Sequence, residues 1–107
     1  MVLLVLQLSD VWLADGTFST APRQYLQLYS IHGQHKGKFF PLVYIFMTRR
    51  TQLMYSAVFS KLVERAEQYG IDLHPGIVST DLEKAVMNAF SYVFPQISIK
   101  GCHFHLS

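Results

Sequence analysis

The chain has 107 residues, 50% of them hydrophobic and only 15% charged, which fits one folded domain of ordinary size and excludes broad disorder. Nine Lys and Arg against seven Asp and Glu leave a formal charge of +2, far short of the dense basic stripe of a domain that grips DNA by charge alone, so the total neither shows nor excludes nucleic-acid binding. A single cysteine, Cys102, excludes an internal disulfide framework and fits a reducing compartment.

Residues 1–11 read as a leader or as the start of the first strand. Met1 to Leu8 is apolar but lacks a basic n-region and meets Asp10, and a membrane span needs about 20 apolar residues, so neither a signal peptide nor a membrane helix is expected. A Met just before a strand also fits a sequence that begins inside a longer protein.

Trp12 to Phe18 reads as a short strand that ends near Asp15, with Gly16 letting the backbone turn away. After Pro22, the alternation of Leu26 and Leu28 with Gln27 and Tyr29 over Tyr25 to Ile31 has the period of a half-buried strand. Gly33 to Lys38 supplies a turn, and the apolar run Phe39 to Met47 reads as a more deeply buried strand paired back across it. Lys36 and Lys38 beside Gly37, and the adjacent Arg49 and Arg50, suit either phosphate contact or a solvated loop.

From Thr51 the period becomes helical, with Tyr55, Val58, Phe59, Leu62, Ala66 and Tyr69 on one face and Gly70 as a stop. Ile77-Val78-Ser79 is a short strand followed at once by Thr80 and Asp81. A second helix carries Leu82, Ala85, Val86, Ala89, Phe90 and Val93 to Pro95, and Ile97-Ser98-Ile99 restores strand alternation. The predicted order is β-β-β-α-β-α-β, an α/β chain with a mixed five-stranded sheet and helices packed on it. Periodicity leaves the strand order open.

Asp15 and Asp81 each sit where an apolar run stops, and carboxylates at neighbouring strand ends can share a divalent cation. Two ionised carboxylates about 5 Å apart repel by roughly 3 kcal/mol at an effective dielectric near 20, so a close pair shares a proton or a cation. Each aspartate also has a plainer reading. Asp15-Gly16 is a common turn signal, and Thr80 with Glu83 matches a capping box that leaves Asp81 as a first-turn anion. Glu83 lies two residues from Asp81 and does not face it on a helix. Cys102 and His105, spaced Cys-x-x-His, are half of a zinc set at most, with no second pair to complete it. The same pair also fits a buried thiol beside a polar histidine. No dinucleotide or P-loop fingerprint occurs.

Ala14-Asp15-Gly16-Thr17-Phe18, Gln27-Leu28-Tyr29 with Ile31-His32-Gly33, Pro41-Leu42-Val43-Tyr44, Thr80-Asp81-Leu82-Glu83-Lys84-Ala85 and Gly101-Cys102-His103-Phe104-His105, taken in order, resemble the Mutator-like element (MULE) transposase domain. The resemblance implies an RNase H-like fold and a DDE-type site in which two aspartates and a glutamate hold Mg²⁺ or Mn²⁺ for DNA cleavage and strand transfer. On it, Asp15 is similar to the first catalytic, metal-binding acid and Asp81 to the second, while Cys102 and His105 resemble the family's Cys-x-x-His element, which organises the site. DNA at transposon ends as partner, an oligomer of the full transposase, no membrane, and an intracellular, nuclear location follow as expectations. The pattern departs in what is missing: the glutamate on a helix well beyond the Cys-x-x-His element, the intervening helical region and a preceding DNA-binding zinc finger. The chain is therefore expected to be one domain over 1–107, incomplete at its C-terminus and inactive alone. The alternative is a non-enzymatic, transposon-derived module that uses the same sheet to bind DNA or protein. A receiver-like phosphoacceptor domain also places aspartates at strand ends, but three initial strands do not suit its doubly wound order.

Overall fold

The structure, a computed structural model, describes residues 2–17, 27–80 and 83–101. A short helix α1 (Val2–Leu8) precedes β1 (Val11–Thr17), β2 (Gln27–His35), β3 (Lys38–Met47), α2 (Gln52–Gln68), β4 (Ile77–Thr80), α3 (Lys84–Val93) and β5 (Ser98–Gly101). The sheet order is β3-β2-β1-β4-β5. β1, β2 and β3 pair antiparallel, while β4 runs parallel to both β1 and β5. This mixed sheet with helical crossovers is the RNase H-like arrangement, and it makes β1 the central strand.

Pairing register sorts the side chains into two faces, because residues directly opposite across a ladder point the same way. Trp12, Ala14, Tyr29, Ile31, Met47 and Val78 share the inner face and are buried. Tyr55, Phe59 and Ala66 of α2 and Val86, Ala89 and Phe90 of α3 complete that core. The two helices meet through the Phe59 and Phe90 rings, stacked with centroids 4.1 Å apart. Trp12 stands edge-on to Phe94 and donates its indole N–H to the Leu6 carbonyl, 3.2 Å away, which ties α1 to the core.

Local chemistry explains most boundaries. Lys36 and Gly37 both have positive φ, 52° and 79°, the two-residue turn whose twist matches an antiparallel hairpin. Thr51 caps α2, its hydroxyl accepting the Met54 N–H at 3.2 Å.

Four readings change. Residues 2–8 form a helix rather than the start of the first strand; α1 buries Leu6, which strand-like apolarity could not reveal. β3 is not deeply buried: it is the edge strand, with Phe39, Phe40, Tyr44 and Phe46 all more than 40% exposed, because one side of it has no neighbour and its outer face no helix among the described residues. α3 begins at Lys84 with Glu83 as its N-cap residue, while Thr80 closes β4, so no Thr80–Glu83 capping box forms. Tyr69, placed on the buried helical stripe, is the C-cap residue of α2 and 59% exposed.

Candidate active site

Asp15 is the fifth residue of β1, and the strand runs on through Gly16 to Thr17. The Asp-Gly pair is therefore not a turn. Gly16 is not among the positive-φ glycines; it is needed for space, since a Cβ there would collide with the Gln27 carboxamide. Gln27 is buried beneath it, its Nε2 donating to the Tyr55 hydroxyl at 2.7 Å and lying 3.5 Å from Met47 Sδ. The close packing on the inner face thus holds the backbone at Gly16, and with it the neighbouring carboxylate on the other face.

That carboxylate belongs to the outer face. Asp15 pairs with Ser30, and Ser30 with Tyr44, so these three form one row across β1, β2 and β3. Leu13, His32 and Pro41 form the next row. Asp15 is only 8% exposed. The Gly16 N–H donates to Asp15 Oδ1 at 2.9 Å, and the Ser30 hydroxyl donates to the Asp15 carbonyl at 3.3 Å. The first contact orients the carboxylate and the second fixes the backbone behind it. On the next row, burial lowers the pKa of His32, while the nearby Leu13 backbone and the Asp15 charge push it back up. His32 Nδ1 nevertheless makes no hydrogen bond of good geometry among the described residues.

β4 supplies the other side of the site. Its parallel register pairs Leu13 with Ser79, and the described strand ends at Thr80. Asp81 comes next in the chain and lies outside the described residues, as do Cys102 and His105 beyond Gly101. Across this gap Arg50, just after β3, donates to the carboxylate of Glu83, the first described residue past it. Among the described residues no group of three or more His, Cys, Asp and Glu is placed to hold a metal ion. The cleft lined by His74, Pro75, Phe94 and Pro95 lies at the opposite end of β4 and contains no acid. His35 and His74 are exposed, and His74 faces Asp72 at 3.8 Å.

The model of the MULE transposase domain matches residues 11–107. The chain belongs to the MULE transposase domain family. A search of the curated proteins finds no match. Membership makes this MULE domain transposase-derived, and the match begins at the first residue of β1, leaving α1 outside it. DNA as the general class of partner and divalent-metal dependence as the general chemistry come with the family. No helix among the described residues of this MULE domain is long and apolar enough to cross a membrane.

Several participants escaped sequence reading. Ser30 and Tyr44 share the Asp15 row, His32 occupies the next, and Arg50 links to Glu83. For Ser30, His32 and Tyr44 the signal that joins them to Asp15 is parity along the strands, usable only once the register is known, and no local pattern linked Arg50 to Glu83.

Proposed function

We propose that Asp15 and Asp81 are the first two acids of a DDE-type site that binds Mg²⁺ or Mn²⁺ for DNA cleavage and strand transfer in a complete transposase. The observation that carries this reading is the position of Asp15: a shielded carboxylate, ordered by a backbone N–H, on the outer face of the central strand beside the parallel β4. Asp15 and Asp81 each follow by two residues in the sequence the paired Leu13 and Ser79. Oxygen ligands of this charge suit hard divalent cations. A cation held there supplies charge neutralisation at the phosphoryl oxygens and a more acidic attacking hydroxyl or water.

The chain's own residues orient and shield. The Gly16 N–H fixes one carboxylate oxygen, Ser30 pins the backbone behind it, and half-buried Leu13 and His32 restrict water on one side. In this reading Cys102 and His105 organise the site, Asp15 and Asp81 are two of its three acids, and the chain alone neither cleaves nor joins DNA. The setting is nuclear, within an oligomer of the full transposase. A non-enzymatic module that uses the same sheet to bind DNA or protein is the second reading.

Thermal unfolding with and without Mn²⁺ separates the two. A cation bound only by the folded chain stabilises it by about 1.4 kcal/mol at ten times its Kd. The expected result is a rise in Tm with Mn²⁺ that disappears in Asp15→Asn and in Asp81→Asn. No rise in the unsubstituted chain supports the non-enzymatic module. Nicking or strand transfer by the purified chain, lost in Asp15→Ala, refutes the inactivity of the two-acid site.

A further inference from the structure

The formal charge of +2 conceals a strong separation. From Gly16 to Val63 there is no acidic residue, while this stretch holds six of the nine Lys and Arg: Arg23, Lys36, Lys38, Arg49, Arg50 and Lys61. The β2–β3 hairpin lies inside it. Lys36 and Lys38 stand at its turn and Arg49 just past its far end, and none of these three forms an ion pair with a described residue.

Between these cations runs a row of rings. Phe39, Pro41 and Tyr44 pair with Gln34, His32 and Ser30, which places all three on the outer face, with a bulge at Leu42 between the last two. Phe39 is 41% and Tyr44 60% exposed. Tyr44 shares its row with Asp15 through Ser30, two interstrand steps of about 5 Å each.

Exposed rings on a sheet face with cations at both ends fit a partner that is itself a row of planar rings on a negative backbone. We propose that the outer face of β3 binds single-stranded nucleic acid, its bases stacked on Tyr44 and Phe39 and its phosphates drawn to Lys36, Lys38 and Arg49. Charge decides against the obvious competitor. A second copy adding its β3 antiparallel at this edge would bring Lys36 and Lys38 against Arg49 and Arg50, like charges in both places. A duplex hides its base faces, and an acidic peptide has no rings to stack. The proposal deepens the reading of Asp15 as a metal ligand, on which it rests only for its meaning: an unpaired stretch beside the phosphate to be cut. The contact itself requires no metal.

Fluorescence anisotropy in EDTA at low salt tests it on the full chain, with labelled oligo-dT, the same strand annealed to oligo-dA, and polyglutamate as probes. Oligo-dT is expected to bind about tenfold tighter than the duplex, Tyr44→Ala to weaken it about tenfold, and Tyr44→Trp to restore it. Arg49→Ala is expected to reduce the logarithmic salt slope by about 0.7. Equal or tighter binding of duplex or polyglutamate overturns the proposal, as does a folded Tyr44→Ala that binds oligo-dT normally. Photo-cross-linking of oligo-dT to the unsubstituted chain guards against an unfolded variant: adducts on the Phe39–Tyr44 peptide support the proposal, and adducts only elsewhere overturn it. Because EDTA removes any metal, failure here leaves the Mn²⁺ result untouched, and failure there leaves this one standing.

Discussion

The two faces of the sheet use the same strands for opposite purposes. On the inner face Trp12, Ala14, Ile31 and Val78 have no measurable exposure, and two helices close over them. On the outer face Leu13, Leu28 and His32 are half-buried and Tyr44 is mostly exposed, yet Asp15 in their midst is only 8% exposed. The covered face supplies the stability, since burial of an aromatic side chain contributes a few kcal/mol. The open face carries a carboxylate at a level the covered face sets, through Gly16 and Gln27. A site of this kind needs one face too well packed to move and the other left reachable.

The largest test of that division is Phe59→Ala, which removes a ring with no exposure that is stacked on Phe90. It is expected to cost about 3–5 kcal/mol in urea unfolding, whereas Tyr44→Ala on the outer face is expected to stay within about 0.5 kcal/mol. Equal costs would mean that the outer face is as well covered as the inner one. Next is Tyr55→Phe, which deprives the buried Gln27 amide of its 2.7 Å partner, a loss of about 1–3 kcal/mol. The same residue marks an alkaline edge. Burial, the largest cause, raises the Tyr55 pKa above 10.0, so above that pH the folded chain keeps a proton the unfolded chain has lost. This contribution to stability falls as pH rises, and Tyr55→Phe is expected to show a shallower alkaline decline.

Smaller effects belong to the surface. Glu83→Gln breaks the ion pair with Arg50, whose side chains are 28% and 38% exposed, and is expected to cost under about 1 kcal/mol by the same unfolding measurement, less in high salt. His32 sharpens the outer face at acid pH. With its pKa held below 6.5, chiefly by burial, the unfolded chain takes up a proton first, so stability present above pH 6.5 is lost as pH falls below it. In EDTA, His32→Gln is expected to flatten Tm between neutral and mildly acid pH.

Much of this was legible in the residues. The turn within Gly33 to Lys38, the change to a helical period at Thr51 and the stripe through Tyr55, Phe59 and Ala66 are local signals, and the elements form where those signals lie. The ordered motifs around Asp15 and Asp81 pointed to the family whose model matches residues 11–107. Non-local matters were not legible. An apolar run such as Phe39 to Met47 has the same composition whether it ends up central or at an edge, and only the lack of a second neighbour among the described residues exposes it. Asp15-Gly16 has the letters of a turn, yet Gln27, distant in sequence, makes the glycine a matter of space. Thr80 and Glu83 have the letters of a capping box, but pairing with Gly101 of β5 keeps Thr80 in β4, and Arg50 engages Glu83.

The sequence by itself determined the types and order of the strands and long helices, the motifs of the MULE transposase domain, and a stretch from Gly16 to Val63 without an acid. These rest on periodicity, caps and covalent order, which act over a few residues. Tertiary structure alone decided that β1 lies between β2 and β4, that α2 and α3 cover one face, and that Asp15, Ser30 and Tyr44 share a row on the other. Those outcomes depend on hydrogen-bond ladders and helix packing between residues far apart in the chain, which no local pattern specifies.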